Sequence, residues 1–278
     1  MKILRTFYFT VSFLGLVFLA LQGSVADAAS PQPLAPSAQG WTLQPDFSDE
    51  FNGQTLDLEK WKDDIGSWGT WSWKPQNVSI NNGLLGITMK YQPHQRNGKE
   101  IYYTSGIVMS RKPILYGYFE ARIKAAHLFP GVCPAFWAWH SEGNEWTEID
   151  FVELTEHPNN PSLIDTNTHV FKHPGFPRGK VIHESRVYHA PWDPRADFHV
   201  YGCEWDANQI RWFIDGKLVA TRANEYWHQP LDLTLSLGLR PPLSKHPDAA
   251  GLPTTFYVDY VRVWKKGAAP APRPEPSK

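Results

Sequence analysis

Hydrophobic runs in this chain are short, rich in β-branched and aromatic side chains, and separated by Gly, Pro and Asn. Examples are "NVSINNGLLGITMKY", "YGYFEARIKAA", "CPAFWAWH" and "TFYVDYVRVWK". None shows helical periodicity, and the dipeptides Asn82-Gly83 and Asp215-Gly216 favour tight hairpin turns. The pattern therefore predicts one all-β domain over residues 41–265, with a sandwich of antiparallel sheets as the expected architecture.

The two ends of the chain have a different pattern. A basic start, an apolar run over residues 7–21 and the small-residue site Ala26-Asp27-Ala28 predict a signal peptide over residues 1–28. A membrane anchor is the alternative, but the run is short for a span. Pro-, Ser- and Ala-rich stretches predict a linker at 29–40 and a disordered tail at 266–278. We therefore expect a secreted or periplasmic protein with no membrane contact after signal cleavage.

Composition narrows the expected partners. The 278 residues are long enough for a sizeable core, and the net charge of -1 gives no reason to expect nucleic acid as a partner. Thirteen Trp, 11 Tyr and 15 Phe exceed what core packing usually needs. Stacking of aromatic rings on sugar faces is one use for the surplus. Cys133 and Cys203 are either bonded to each other or buried as free thiols, and the sequence leaves both options open.

The segment "EWTEIDFVEL" (residues 145–154) is typical of a strand, yet it carries four carboxylates. Strict alternation would place Glu148 and Asp150 on one face and Glu153 on the other. A bulge at Phe151-Val152 would bring all three to one face, where two carboxyl groups could approach to about 5 Å, the separation used by retaining glycosidases. The competing interpretations are solvated surface acids, a calcium site, and a sugar-binding module without catalysis.

"EIDFVE" fits the E-x-D-x-x-E signature of glycoside hydrolase family 16, and "SDEF", "YGYFEARIK", "PAFW", "FHVYGCEW", "WFIDG" and "VDYVRVW" occur in that family's order. The resemblance covers about residues 41–265. Stretches such as "WGTWSWKPQNVSINNG", "FPGVCPAFW" and "YWHQPLDLTLSLGLRPP" resemble the κ-carrageenase branch. The resemblance implies a jelly-roll β-sandwich of two curved antiparallel sheets, with the substrate groove on the concave one.

Catalytic roles follow from the same resemblance. Glu148 matches the family's nucleophile and Glu153 its acid/base. Asp150 lies between them and is expected to keep Glu153 protonated by like-charge repulsion and to orient Glu148. Such a pair retains the anomeric configuration through a covalent intermediate. No cofactor is expected for catalysis.

Several substrate-binding residues are also implied. Trp137 in "PAFWAW" matches a tryptophan that stacks on the sugar next to the cleaved bond. Trp71 and Trp73 in "TWSW" are expected to alternate across a strand, so that only one faces the groove, and we take Trp71. His169 is a candidate at the border of the groove, although a lone histidine is more often structural.

Two arginines are candidates for sulfate recognition. Arg240 in "GLRPP" matches an arginine that the carrageenase branch uses against a galactose sulfate, and a guanidinium fork suits that group. Arg178 in "HPGFPRGK" is a second candidate, but the loop around it is shorter than in the carrageenase pattern. Glu50, the carbonyl of Gly83 and Asp259 match a structural calcium site of many relatives, with hydrogen-bonded acids as the alternative.

The sequence therefore predicts a retaining endo-glycoside hydrolase, expected to be monomeric, that cleaves β-1,4 linkages of a sulfated galactan, foremost κ-carrageenan. Alternative substrates are furcellaran, porphyran, agarose and β-1,3-glucan. The alternative outside the enzyme class is a non-catalytic carbohydrate-binding domain, which would gain nothing from three crowded acids.

Overall fold

Two packed β-sheets make up the protein in a computed structural model that describes residues 33, 34, 40–154 and 157–267. These residues all belong to one compact unit, Pro31–Lys278. The predicted signal peptide, most of the predicted linker and all but Lys266 and Gly267 of the predicted tail lie outside the described residues. In the part of the chain that is described, no helix has the length and apolar character needed to span a membrane.

The larger sheet has ten strands in the order β15-β14-β13-β8-β17-β5-β6-β3, with β1 beside β17 and β4 beside β5. Its strands are β1 (Trp41–Leu43), β3 (Trp71–Trp73), β4 (Val78–Asn81), β5 (Leu84–Arg96), β6 (Lys99–Ser105), β8 (Gly117–Lys124), β13 (His199–Trp205), β14 (Gln209–Ile214), β15 (Lys217–Ala223) and β17 (Thr254–Lys266). All pairs are antiparallel except β3 with β6.

The smaller sheet has seven antiparallel strands in the order β12-β11-β10-β9-β16-β7-β2. Its strands are β2 (Trp61–Lys62), β7 (Ile107–Ser110), β9 (Val132–Glu142), β10 (Glu145–Leu154), β11 (Leu163–Lys172), β12 (Ile182–His189) and β16 (Asp232–Leu239). Two short 3-10 helices, Pro45–Phe47 and Pro75–Asn77, complete the described elements. The predicted all-β sandwich is confirmed.

The core lies between the sheets, where alternate residues of both are buried. Phe119 of the ten-stranded sheet stacks on Phe151 of the seven-stranded sheet, with ring centroids 5.1 Å apart. Phe136 meets the same Phe151 ring edge-on at 4.9 Å. The segment with the crowded acids is therefore anchored from behind by an aromatic cluster.

The predicted hairpin turns are present. Asn82 and Asp215 adopt positive φ angles of 52° and 48°, and each is followed by a glycine that does the same. Cys133 and Cys203 lie on strands of different sheets, and both are buried free thiols.

Candidate active site

Strand β10 contains the bulge that the sequence predicted. Against β9, Asp150 pairs with Trp137 and Val152 pairs with Phe136, so that Phe151 has no partner of its own. Against β11, the register also shifts between Asp150 and Glu153. The extra residue turns Phe151 and Val152 into the core, where both are at most 1% exposed. Glu153 therefore faces the same side of the sheet as Glu148 and Asp150.

Two indole N–H groups hold this irregular strand from behind. Trp227 donates to the carbonyl oxygen of Glu148, and Trp212 donates to that of Asp150, each at 2.9 Å. Both tryptophans are at most 2% exposed. A bulge interrupts the ladder of backbone hydrogen bonds, and buried carbonyls need other donors. These bonds fix the backbone beneath the first two acids.

The three carboxylates converge on one cavity of about 160 Å³. Asp150 is 3% exposed, whereas the side chains of Glu148 and Glu153 keep 18% and 14% of their surface. Two half-buried glutamates flank a buried aspartate, so a pair of carboxyl groups able to act as nucleophile and acid/base faces the same cavity.

His169 on β11 lies at this cluster, beside the three acids. Its Nε2 is 2.9 Å from Asp150 Oδ2 and 3.9 Å from Glu148 Oε1. Its Nδ1 shares a hydrogen bond of 2.6 Å with Nδ1 of His183 on β12. Ligand atoms of Glu148, Asp150 and His169 lie within 4.8 Å of one another, which makes them the described side chains able to hold a metal ion. The same contacts would also let His169 influence the protonation of Glu148 and Asp150 without a metal ion.

Burial raises the pKa of Glu148 well above the ordinary glutamate value, and the neighbouring carboxylates of Asp150 and Glu153 raise it further. His169 acts in the opposite direction and lowers this pKa. The structure shows the repulsion from Asp150 acting on Glu148, and the expected effect of Asp150 on Glu153 stays a prediction. Burial and the neighbouring carboxylates therefore favour the protonated form of Glu148 in the free protein.

Glu153 has different neighbours. Arg240, directly after β16, donates from Nη2 to Glu153 Oε1 at 2.6 Å, and Asn167 on β11 donates from Nδ2 to Oε2 at 2.5 Å. Cys133 Sγ lies 3.9 Å from Oε1. Arg240 was predicted to meet a substrate sulfate, and the structure places it on the predicted acid/base.

A tryptophan cluster lines the cavity on the β9 and β16 side. Trp137 lies there as predicted, held by an N–H bond of 3.1 Å to Ser236, and its ring stacks on Trp139 at 5.8 Å. Trp71 and Trp73 both line the cavity, with rings 5.2 Å apart. The prediction that only one would face the groove is wrong, because residues two apart on a strand share a face.

The other side of the carboxylates, towards β11 and β12, is polar. A second cavity there is lined by Glu148, Glu153, His157, Asp165, Asn167, His169, Ser185 and Arg240. Sequence reasoning missed Asn167 and, on the aromatic side, Trp68, which contacts Trp73 at 5.3 Å and Trp139 at 6.1 Å. The register of β11 against β10 would have found Asn167, but "TNTHVFKH" alone does not fix that register.

Arg178 is not among the residues that line either of these cavities. It lines a separate pocket with Lys172, Lys180 and two phenylalanines, Phe171 and Phe176. Phe171 stacks on His169 at 5.3 Å, so this pocket borders the polar side of the site. The structure therefore places Arg178 apart from the residues that line the carboxylate cavity.

The predicted calcium ligands have protein partners. Both carboxylate oxygens of Glu50 accept hydrogen bonds from Arg262, at 2.7 and 2.9 Å. Asp259 accepts one from Arg122 at 2.8 Å. Gly83 stands near Asn52, whose Oδ1 is 3.3 Å from the position of an added Cβ. These pairings correspond to the hydrogen-bonded alternative, and calcium at this place stays a prediction.

A two-sheet jelly roll with an E-x-D-x-x-E bulged strand in its groove defines a class of glycosidases, and comparison with known proteins agrees. The model of the family 16 domain of beta-porphyranases A–D matches residues 41–266. The chain belongs to glycoside hydrolase family 16 and is an endo-glycosidase of that family.

Similarity extends to κ-carrageenases. The chain is 39% identical over 289 residues to the κ-carrageenase of Pseudoalteromonas carrageenovora, which covers 90% of this chain and 71% of that protein. The structure of that enzyme with an oligotetrasaccharide of κ-carrageenan superposes with a TM-score of 0.76 at 38% identity, covering 85% of this chain and 99% of that one. The structure of the κ-carrageenase of Zobellia galactanivorans superposes with a TM-score of 0.75 at 35% identity, covering 85% of this chain and 100% of that one.

Proposed function

We propose that the protein is a retaining endo-hydrolase of a sulfated galactan, foremost κ-carrageenan, and that it cleaves β-1,4 linkages. The observation that carries this proposal is the bulge at Phe151-Val152, which puts Glu148 and Glu153 on one face of the groove. Similarity to κ-carrageenases over most of the chain supports the choice of substrate.

In the proposed reaction Glu148 attacks the anomeric carbon while Glu153 protonates the leaving oxygen. Glu153 then takes a proton from the water that hydrolyses the glycosyl-enzyme, and the configuration is retained. Asp150 orients Glu148 from its buried position. His169, 2.9 Å from Asp150, offsets part of the negative charge, so that Glu148 can ionise before it attacks.

The substrate chain lies across the strands, with one side of the cleaved bond on the tryptophan cluster and the other in the polar cavity. Trp137 stacks on the sugar nearest the carboxylates, and Trp71 and Trp73 extend the aromatic surface. Arg240 contacts a sulfate beside Glu153. Arg178, with Lys172 and Lys180, can hold a more distant sulfate at the edge of the polar side.

Export through the signal peptide would place the enzyme outside the cytoplasm, where a large polysaccharide is found, and we propose that it acts there as a monomer. Porphyran is the second candidate substrate, since the matching family model describes porphyranases. The same two carboxylates would serve there, with different contacts to the sugar substituents.

Release of reducing ends from κ-carrageenan, furcellaran, porphyran, agarose and laminarin tests the proposal. We expect the highest kcat/KM on κ-carrageenan and no turnover by the Glu148→Gln variant. Activity on laminarin alone contradicts the sulfated substrate. Equal product release by Glu148→Gln and the wild type contradicts the assignment of Glu148 as the nucleophile. Binding of these polysaccharides by the wild type without any turnover favours a carbohydrate-binding domain.

A further inference from the structure

The proposed proton donor has a hydrogen-bond donor on each of its oxygens. Arg240 Nη2 is 2.6 Å from Glu153 Oε1, and Asn167 Nδ2 is 2.5 Å from Oε2. A guanidinium has donors only, so Arg240 cannot accept a hydrogen bond from a protonated Oε1 and opposes a proton at that oxygen. An adjacent cation also favours the ionised form of a carboxyl group. In the free protein Glu153 is therefore set up as a base, although the first step of the reaction needs an acid.

Asn167 is a smaller obstacle to protonation. Its amide can rotate and present Oδ1, which accepts a hydrogen bond from a protonated Oε2. Arg240 has no acceptor to present. A proton on Oε2 is compatible with Arg240 on Oε1, but the adjacent guanidinium charge favours the ionised carboxylate for as long as Arg240 stays there.

Arg240 is placed where substrate can reach it. Its side chain keeps 29% of its surface and lines both the aromatic cavity and the polar cavity on either side of Glu153. Gly238 leaves room for it, since a Cβ at that position would lie 3.0 Å from Arg240 Nη1. A sulfate ester entering this cavity offers the guanidinium paired acceptor oxygens, whereas Glu153 offers it Oε1 and shares Oε2 with Asn167.

We propose that an anionic group of the bound substrate draws Arg240 away from Glu153, and that this exchange allows Glu153 to take up the proton it then gives to the leaving oxygen. The inference rests on the proposed function, because it needs a sulfated substrate. It makes the sulfate a requirement for chemistry as well as for binding. A neutral galactan can occupy the groove and still leave Glu153 ion-paired.

The proton balance of this exchange is simple. One proton, from solvent or from Glu148, adds to Glu153, passes to the glycosidic oxygen when the bond breaks, and returns from water in the second step. Among the described residues, the groups that face Glu153 include Arg240, Asn167 on β11, Cys133 on β9 and, on its own strand, Glu148 and Asp150. Asp165 and His157 line the adjoining polar cavity.

Proton uptake on binding tests the exchange directly. The Glu148→Gln variant cannot supply the proton internally from residue 148, so a tetrasaccharide of κ-carrageenan should bind with uptake approaching about one proton at pH 6. Calorimetry in two buffers of different ionisation enthalpy measures it. Uptake should fall to near zero in Glu148→Gln/Arg240→Met. Binding to Glu148→Gln without proton uptake overturns the inference.

Kinetics on matched substrates provide a second test. Compared with the wild type, Arg240→Met should raise KM on the sulfated tetrasaccharide, which loses its guanidinium contact, but should gain about 10- to 100-fold in kcat on the desulfated counterpart, a part of the roughly 10²–10⁴-fold that general acid catalysis supplies. Arg240→Lys keeps a cation beside Glu153, so it should cleave the desulfated tetrasaccharide at a rate close to that of the wild type. If Arg240→Met loses activity on the sulfated substrate and its kcat on the desulfated substrate is unchanged, Arg240 only binds the sulfate. That result overturns the exchange.

The two proposals fail in different ways. If the wild type cleaves no sulfated galactan, the proposed function fails and the exchange fails with it. If κ-carrageenan is cleaved, Glu148→Gln is inactive and Arg240→Met shows neither the gain nor the lost proton uptake, only the exchange fails. Thermal unfolding of each variant separates these results from loss of the fold.

Discussion

Trp212 on the ten-stranded sheet donates its indole N–H to the carbonyl oxygen of Asp150 on the seven-stranded sheet, at 2.9 Å and out of contact with solvent. The bond crosses the sandwich at the residue where the β9 register breaks. This hydrogen bond therefore links the packing of the core to the position of the carboxylates on β10. Loss of this donor should affect both stability and catalysis.

Trp212→Phe should destabilise the protein by about 1–3 kcal/mol, because it leaves a buried carbonyl without its donor. It should also lower kcat, because the Asp150 backbone is no longer held. Trp61→Phe is the matched control, since Trp61 on β2, the edge strand farthest from β12, donates its indole N–H to Asp49 at 2.9 Å. Denaturant unfolding and kcat are measured for both. Equal effects on kcat would contradict the role of Trp212 in the site.

Glu148→Gln should stabilise the protein, increasingly so as the pH rises. A carboxyl group whose pKa is higher in the folded protein than in the unfolded chain loses its stabilising contribution as pH rises through the folded value. Burial and nearby carboxylates place Glu148 in this class. Each kcal/mol should appear as about 2–4 °C in Tm for a domain of this size.

Thermal unfolding of wild type and Glu148→Gln at pH 4, 6 and 8 measures the effect. Glu145→Gln, half-buried at the start of the same strand, is the control. If the Tm difference between Glu148→Gln and the wild type stays constant or shrinks from pH 4 to pH 8, the folded protein does not raise the pKa of Glu148.

The acid limb of the kcat/KM profile should lie well above the ordinary glutamate pKa, because Glu148 must lose a proton before it attacks. Replacing His169 with Gln removes the neighbour that lowers this pKa, so the limb should move to higher pH. His199→Gln, on the ten-stranded sheet beside Asp215, should leave the limb unchanged. If the acid limb moves to lower pH in His169→Gln, His169 does not lower the pKa of Glu148 in the wild type.

Trp71→Ala and Trp73→Ala should each raise KM on κ-carrageenan oligosaccharides by about 3- to 10-fold, equivalent to about 0.7–1.4 kcal/mol. Both rings line the cavity, so neither loss should be silent. Trp41→Ala, which removes a ring beside Tyr118 in the smaller hydrophobic cluster, is the control. An effect confined to Trp71 would restore the view that one ring faces the groove.

Much of the fold follows from local patterns. Alternating runs and the Asn82-Gly83 and Asp215-Gly216 turns predicted the antiparallel sandwich, because strand period and turn conformation are set by near neighbours. The bulge was predictable too, since without it the acids of β10 would split between two faces and Glu153 would enter the core.

The partners of the site residues were harder to predict. Arg240 and Glu153 are 87 positions apart, and their ion pair depends on how β16 and β10 are arranged about β9. Asn167 and His183 reach the site through the registers of β11 and β12, which "TNTHVFKH" does not specify. The error over Trp71 and Trp73 was different in kind: their spacing contained the answer, since positions i and i+2 share a face.

The central claim is that Glu148 and Glu153 act as nucleophile and acid/base on one face of a bulged strand. The most direct measurement is the anomeric proton NMR spectrum during the first minutes of cleavage of a κ-carrageenan oligosaccharide, before mutarotation. The account predicts that the β-anomer of the new reducing end appears first, and that Glu148→Gln forms none. Initial appearance of the α-anomer would show inversion and would contradict the proposed nucleophile.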